Sequence, residues 1–374
     1  RIIALGSAAS ALLCAALALV SLFHARVPDL APLRWANAGL RAIAVHFERH
    51  ADPALLRFDE PALPLIFFLL FAIATVRILI WPARSSLPPL LLPAAMLSNA
   101  VTWGASTFEI ATMVGPAVGG FLIAYGGFHS VYWLGVALEI TFFILLRRVR
   151  YFNPSALPAS TRTVTRRTWR DMLGGAEFIW KRPVILGASS LDLFAVLLGG
   201  ATALLPIYAA DILHVGPIGL GWLRAAPSIG AFGMAMWLAH RAPLTRPGLA
   251  LLRTVAGFGL AIIVFGFSHY FWLSLVALFF TGVFDNVSVV VRQSLVQLLT
   301  PDHLRGRVTA VNQMFIGSSN EIGALRAGLM AALLGPAAAV VWGGLGTVAV
   351  AAVVARTVPA LRRLPALHTL RPDA

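Results

Sequence analysis

Acidic residues inside long apolar runs are the most unusual chemical feature of this sequence. Five of them lie well within such runs: Glu109, Glu139, Asp192, Asp285 and Glu321. A charged side chain in hydrocarbon is expensive, so it usually faces a cavity or a partner. Only Arg224 and Arg326 are basic at comparable depth, which leaves carboxyls without a permanent counter-charge. A desolvated carboxyl tends to keep its proton, so these residues could bind and release protons within a membrane. The simpler interpretation is a hydrogen bond to a neighbouring helix.

Arginines near the ends of the apolar runs are a second set of candidates. Asp285 and Arg292 are seven residues apart, which places them on one helix face. We expect four arginines near the cytoplasmic ends of the runs to organise a gate: Arg84, Arg292, Arg305 and Arg307. Arg224 lies two turns inside its run, beside Pro227 and Gly230. It either extends outward to the interface or binds an anionic group of a substrate.

Other chemistry is excluded by what the sequence lacks. The only lysine, Lys181, does not close a Gly-rich phosphate-binding loop. Neither the zinc motif His-Glu-x-x-His nor the nucleophile motif Gly-x-Ser-x-Gly occurs. The single cysteine, Cys14, excludes a disulfide framework within the chain and a cysteine-based zinc site. The sequence therefore predicts no enzyme, no cofactor and no metal site.

The composition predicts an all-α membrane protein. Hydrophobic residues make up 59% of 374 positions and charged residues only 12%, against about 25% charged in soluble domains. The apolar runs have the length that a helix needs to cross about 30 Å of hydrocarbon, and they lack the alternation of a barrel strand. We predict a helical bundle with about ten spans. They are Ile2–His24, Leu63–Trp81, Leu97–Ala124, Ser130–Arg147, Val184–Ala209, Pro217–Ala239, Gly248–Phe267, Phe271–Val291, Val308–Ala332 and Pro336–Arg356.

The distribution of arginine predicts the orientation of the spans. The net charge of +14 does not indicate nucleic-acid binding, because the basic residues sit in short segments between apolar runs. On one side of the membrane they are confined to a single long loop: Arg26, Arg34, Arg41, Arg49 and Arg57. The segments on the other side carry most of the remainder. Positively charged loops stay inside, so both ends are expected in the cytoplasm of a bacterial cell, with the spans in its inner membrane.

The spans fall into two groups. We predict an incomplete N-terminal half at 1–146, a basic cytoplasmic linker at 147–183, a six-helix half at 184–357 and a cytoplasmic tail at 358–374. The N-terminal half contains an outer loop insert at 25–60. Within this loop, Trp35, Leu40, Ile43 and Phe47 have roughly helical spacing, so it forms either a short interfacial helix or an irregular loop.

An internal repeat relates the two halves. Arg84-Ser-Ser-Leu-Pro-Pro-Leu-Leu-Leu-Pro93 recurs as Arg292-Gln-Ser-Leu-Val-Gln-Leu-Leu-Thr-Pro301, with six identities at a constant offset of 208. The same offset carries Gly115 and Gly120 onto Gly323 and Gly328. Parallel halves related by an axis along the membrane normal are one transporter architecture. Because six spans follow the linker and four precede it, the chain looks like a six-plus-six protein without its first two helices.

These motifs give the sequence a family resemblance. It resembles the major facilitator superfamily, and within it the transmembrane secretion effector group, which includes enterobactin-type exporters. The residues that carry the resemblance are Gly115-Pro-Ala-Val-Gly-Gly120, the stretch 290–312 and Gly317-Ser-Ser-Asn-Glu-Ile-Gly323. The loop His240–Gly248 departs from the family pattern because it lacks an acid–arginine pair. The first of these motifs, with Gly115, Pro116, Gly119 and Gly120, is either a packing site or a hinge between the halves.

The resemblance implies a secondary active transporter that exports a small amphipathic molecule, such as a drug, a siderophore or a metabolite. Its expected partners are membrane lipids, the small-molecule substrate and protons as the coupling ion, without nucleic acid, and the chain is expected to be monomeric. Two alternatives remain open at this point. One is a lysophospholipid transporter of the same fold, and the other is a truncated remnant that transports nothing.

Overall fold

The computed structural model describes residues 2–23, 31–47, 62–85, 94–148, 169–240 and 245–365, and these residues are helical, without β-strands. Their α-helices are α1 Ile2–Leu22, α2 Ala31–Phe47, α3 Ala62–Ser85, α4 Ala94–Gly126, α5 Phe128–Arg148, α6 Trp169–Lys181, α7 Pro183–Gly199, α8 Gly216–Ala239, α9 Pro247–Phe267, α10 Phe271–Leu299, α11 Asp302–Leu334, α12 Pro336–Thr357 and α13 Pro359–Arg362. The all-α membrane fold is therefore confirmed.

Seven of the described helical segments are long and apolar enough to cross a membrane. They are Ile3–Leu22, Ala62–Ile80, Phe128–Arg148, Pro183–Ile212, Pro247–Phe267, Phe271–Leu299 and Pro336–Thr357. In α4 the apolar part is the shorter segment Ile110–Gly126. Helices α8 and α11 have spanning length but are less apolar, since α8 contains Pro227 and several glycines and α11 carries charged residues. Each of the ten predicted spans corresponds to one of these helices.

The chain separates into two compact units. Unit 1 comprises Arg1–Ala111 and Val118–Thr163, and unit 2 comprises Thr112–Ala117 and Val164–Ala374. Within unit 1, α1 packs against α3 and α5, and α2 packs beside α3. Within unit 2, α9 packs against α10 and α12, α8 packs against α10, and α7 packs against α11 and α12.

The internal repeat is visible in the helix bounds. Shifted by 208 residues, the bounds of α4 become those of α11, and α5 begins where α12 begins. Each of these helix pairs is joined by one glycine with a positive φ, Gly127 at 73° and Gly335 at 85°. Glycine adopts this left-handed conformation without the steric cost that a side chain would bring. The packing repeats as well, because α1 lies against α3 and α5 as α9 lies against α10 and α12.

Two predicted spans are present but differ in detail from the structure, in ways that affect the site. Helix α10 continues to Leu299 instead of ending near Val291. The span predicted as continuous over Val184–Ala209 is broken: α7 ends at Gly199, a 3₁₀ turn covers Ala201–Leu204, and a π-helical turn covers Tyr208–Ile212. Adjacent Gly199 and Gly200, followed by Pro206, explain the break, because glycine weakens a helix and proline lacks the N–H of a regular turn.

Two helices outside the predicted spans complete the described fold. Helix α2 confirms that the loop around Trp35 contains a helix instead of being wholly irregular. Helix α6 was not predicted, and it lies within the polar segment assigned to the linker. It packs against α11 and α7, with Ile179 buried and the neighbouring Trp180 exposed. A short amphipathic helix therefore covers one end of unit 2.

Candidate functional site

A buried ion pair joins two spans of unit 2. The guanidinium of Arg292 on α10 donates a hydrogen bond to a carboxylate oxygen of Asp192 on α7, and the two residues are only 3% and 4% exposed. One turn away on each helix, Ala195 and Leu295 belong to the buried apolar core. The pair is therefore enclosed in low-dielectric surroundings, where a single charge would be unstable.

This pair corrects two inferences from sequence. Asp192 has a permanent counter-charge, so it is not one of a group of unpaired carboxyls. Arg292 is a third deep arginine, because α10 extends a further two turns and carries it inside the packed helix instead of into a loop. Its buried partner is Asp192, 100 residues away. Arg292 was expected to act with Asp285 at a gate, but it also binds Asp192, which the spacing along the sequence could not reveal.

Polar groups with unused hydrogen-bonding capacity lie on the same two helices as the pair. The hydroxyls of Ser189 and Ser288 and the Nε of Arg292 are buried without a hydrogen-bond partner among the described residues. Ser189 precedes Asp192 by three residues and Ser288 precedes Arg292 by four, so each lies on the same helix face as the charge. These hydroxyls are therefore the nearest alternative partners along each helix if the ion pair separates.

The broken end of α7 is capped by Arg326 from α11. Its Nε donates to the carbonyl of Leu197 at 2.8 Å, and a terminal nitrogen donates to the carbonyl of Leu198. The last carbonyls of a helix lack partners within the helix, and a cation at this end also complements the helix dipole. The sequence identified Arg326 as a deep cation but gave it no role, because the carbonyls it binds lie 128 and 129 residues away.

Close backbone packing surrounds the same break. A Cβ atom added at Gly323 of α11 would lie 2.9 Å from the carbonyl oxygen of Val196, and one added at Gly200 would lie 3.1 Å from the carbonyl oxygen of Gly323. On the α12 side, the hydroxyl of Thr347 donates to the carbonyl of Ala195 at 3.3 Å. The end of α7 is thus fixed by small residues and by two polar side chains from α11 and α12.

The other acidic candidates differ from Asp192 in their burial. Asp285 is half-buried on α10 and makes contacts of its own. Glu321 on α11 and Arg224 on α8 are exposed, and Glu139 is half-buried on α5 of unit 1. The side chain of Glu109 lies outside the described residues. Among the four acids whose side chains the structure describes, Asp192 is the one in a fully buried ion pair.

The other gate arginines occupy different surroundings. Arg84 lies in the last turn of α3, where its exposed guanidinium is 4.2 Å from the ring centre of Phe142. Arg307 is exposed on α11, close to Gly174 of α6. The side chain of Arg305 lies outside the described residues. Arg84 and Arg292 are thus equivalent in the repeat, yet only Arg292 is buried.

The glycine motif of α4 is open in the structure. A Cβ atom added at Gly115 or Gly119 would meet no described atom within 4 Å, and Pro116 lies inside the helix without ending it. Gly120 is buried. The described residues thus place no close backbone contact at Gly115 and Gly119, and both the packing role and the hinge role stay predictions.

The duplicated helical packing and the ion pair within the spans define a multi-pass membrane protein built from two related bundles. The model of the Major Facilitator Superfamily matches residues 1–324, and the chain belongs to this family. The enterobactin exporter EntS of Citrobacter koseri is 28% identical over 257 residues, and EntS of Escherichia coli O1:K1 is 27% identical over the same length. These matches cover 69% of this chain and 60% of each relative, so the chain spans about 60% of the length of these relatives.

Solved structures support the same fold. A POT family transporter in complex with a thioalcohol-conjugated peptide superposes with a TM-score of 0.55 at 12% identity, over 96% of this chain and 88% of that one. A bacterial metal transporter gives a TM-score of 0.52 at 14% identity, over 94% and 89%. At these identities the likeness concerns the fold alone.

Proposed function

We propose that the chain is a secondary transporter that exports a small amphipathic molecule across the bacterial inner membrane in exchange for protons. The observation that carries this proposal is the Asp192–Arg292 pair, buried inside membrane-spanning helices. The similarity to enterobactin exporters supports export and makes a siderophore the first substrate class to test. The chain acts as a monomer in contact with membrane lipids.

The physical basis is the cost of changing the charge of Asp192. A buried ion pair contributes little net stability, but removing one charge leaves the other unpaired, at about 3–5 kcal/mol. A proton that reaches Asp192 therefore disfavours the packing of α7 against α10 and favours an arrangement in which Arg292 finds another partner. Ser288, one turn away on α10, can accept from that guanidinium. Proton binding and helix arrangement are linked in this way.

The broken end of α7 converts this local change into movement of a helix end. Asp192 lies two turns before Gly200, where regular helical structure stops. Backbone that leaves a helix inside a membrane protein is tolerated where other groups satisfy its carbonyls, and Arg326 does so here. The segment after Gly200 can thus change direction without exposing carbonyls to lipid, which is what alternating access requires of a transporter helix.

The other candidate residues keep their proposed roles beside this pair. Glu109, Glu139, Asp285 and Glu321 are further coupling candidates, and Arg224 is the candidate for an anionic substrate group. Arg84, Arg305 and Arg307 are gate candidates, and Gly115, Pro116, Gly119 and Gly120 form the candidate hinge. Asp192 is the first coupling candidate to test, because both residues of its ion pair are buried.

Transport by the purified chain in proteoliposomes tests the proposal. Export of enterobactin is measured with and without an imposed pH gradient, for the wild-type chain, Asp192→Asn and Glu177→Gln. Glu177 is an exposed carboxylate on α6 of the same unit and serves as the control. We expect wild type and the control to respond to the gradient and Asp192→Asn to lose that response.

Two outcomes would contradict the proposal in different ways. A normal pH response of Asp192→Asn would remove the ion pair from coupling and leave one of the other acids to do it. If the wild-type chain moves neither enterobactin nor a hydrophobic dye in either direction, the transporter hypothesis itself is wrong.

A further inference from the structure

Unit 2 also has a groove, lined by apolar residues and three arginines. It lies between α9 and α12, has a volume of about 470 Å³ and is open along one side. Leu252 and Ala256 of α9 and Val348 and Ala352 of α12 form much of its wall. Ligand clefts commonly have volumes of about 300–1,000 Å³. Both helices are apolar enough to span the membrane, so the open side of this groove is suited to hydrocarbon.

Three arginines occupy one end of the groove. Arg253 lies in the second turn of α9, Arg356 in the last turn of α12 and Arg362 on α13, and all three line the groove. Helix α13 follows directly from α12 and rests on the first turn of α9, where the backbone of buried Leu361 contacts Gly248. This contact brings the end of α12 and the start of α9 together, and their arginines with them.

No carboxylate of these helices offsets the three positive charges. The sequence has no acidic residue between Asp211 and Asp285, and none between Glu321 and Asp373. Helices α9, α12 and α13 therefore carry only basic charge. All three arginines are exposed, and none of them forms an ion pair within the described part of the chain. A ligand with its own negative charge would supply the missing counter-ion.

We infer that this groove binds one anionic phospholipid, with the headgroup phosphate on Arg253, Arg356 and Arg362 and an acyl chain along the apolar wall. Guanidinium groups bind phosphate oxygens through paired hydrogen bonds, and basic pockets between spans are suited to anionic headgroups. The apolar wall favours a lipid over a free anion. A free anion would bind the arginines but would leave the apolar side chains of α9 and α12 in the groove uncovered. This site shares no lining residue with the ion pair, so it is independent of the proposed transport function.

Native mass spectrometry of the full chain in detergent tests the inference with phosphatidylglycerol and phosphatidylcholine as probes. The groove variant Arg253→Gln/Arg356→Gln is compared with Arg246→Gln/Arg363→Gln, which removes two exposed arginines that do not line the groove. We expect wild type and the control to retain phosphatidylglycerol in preference to phosphatidylcholine. The groove variant should lose about tenfold or more of that retention, as expected for two basic residues at a headgroup.

A second variant tests the acyl chain. Ala352→Phe fills part of the apolar wall while keeping every arginine, so it should weaken retention of phosphatidylglycerol without changing the response to salt. Thermal unfolding without added lipid shows whether each variant is folded. An equal loss in the groove variant and the control would reduce the effect to general surface charge and overturn the inference. Full displacement by inorganic phosphate, with Ala352→Phe behaving as wild type, would show an anion site and not a lipid site.

Discussion

The ion pair between Asp192 and Arg292 shows what a single charge costs inside this bundle. Its two residues are almost fully enclosed by helices that share a buried apolar core. Desolvating both ions consumes most of their mutual attraction, so an apolar pair of similar size would stabilise the fold at least as well. The charges are therefore better explained by what they do than by the stability they add.

This view predicts different stabilities for single and double substitutions. Asp192→Asn should lower the free energy of unfolding by about 3–5 kcal/mol, because it leaves the charge of Arg292 buried and unpaired. Asp192→Leu/Arg292→Met should restore most of this loss, since it removes both charges and keeps the volume. Thermal unfolding in detergent, followed by tryptophan fluorescence, measures both, with exposed Arg246→Gln as control. A double variant as unstable as Asp192→Asn would contradict this account.

Among the helices, α7 is unusual because it ends within an apolar stretch of sequence. Its residues are apolar apart from Ser189, Ser190 and Asp192, yet the helix stops at Gly199 and the chain passes through a 3₁₀ turn and a π-helical turn before α8. The carbonyls left without helical partners at this end accept hydrogen bonds from Arg326. Gly323 of α11 and Gly343 of α12 allow these two helices to approach the backbone of α7 closely. The break is therefore a supported feature of unit 2.

Removing the cap should loosen the break locally. Arg326→Met leaves the half-buried carbonyls of Leu197 and Leu198 without a partner, at about 1 kcal/mol each, the lower end of the cost for a buried group. Hydrogen exchange should accelerate in 201–212 and stay unchanged in the middle of α9. Arg326→Lys should protect only partly, because an ammonium lacks the planar fork that reaches both carbonyls. Uniform acceleration over the whole of unit 2 would instead indicate global destabilisation.

The crossing of α8 and α10 depends on glycine in a similar way. Gly230 of α8 lies against the carbonyl of Phe279, and Gly282 of α10 lies against the carbonyl of Pro227. Any side chain at either position would collide with backbone, which cannot move aside as a flexible side chain could. The two glycines therefore set the distance between these helices.

Alanine substitutions on α8 give a matched test of this contact. Gly230→Ala should destabilise the protein by about 1–3 kcal/mol, the usual cost of overpacking. Gly233→Ala, on the same helix, meets no described atom within 4 Å. It should be neutral, or stabilising by up to about 1 kcal/mol through helix propensity. Thermal unfolding of both variants distinguishes them, and equal effects would show that the crossing is not tightly packed.

At the scale of the whole molecule, duplication explains the helix bounds and the packing of each unit. The offset of 208 residues read from a ten-residue motif also relates α4 to α11 and α5 to α12. The repeat does not extend to the charges. Arg84 is exposed beside Phe142, whereas Arg292 is buried with Asp192. The two units share their helical plan, and the buried ion pair belongs to unit 2.

The orientation of the molecule in the membrane is tested by labelling single cysteines in a Cys14→Ser background. Positive loops should lie in the cytoplasm, so a cysteine at Ser155 should react with an impermeant reagent only in opened cells. A cysteine at Ser130, in the first turn of α5 at the predicted outer end of that span, should react in intact cells. Labelling at 155 in intact cells would reverse the assigned orientation.

Much of the fold follows from the sequence alone. Each membrane helix satisfies its own backbone hydrogen bonds, so length and apolar character locate it without knowledge of its neighbours. For this reason the spans and the repeat could be predicted, and the motifs around Gly115 and Arg292 were enough to indicate the family. The tertiary structure decided which helices are neighbours and how each is rotated. That arrangement of helices pairs Arg292 with Asp192 and places Arg326 on the end of α7. The sequence could not show either contact, because a charge interacts with groups that are near in space and not with those at a given spacing along the chain.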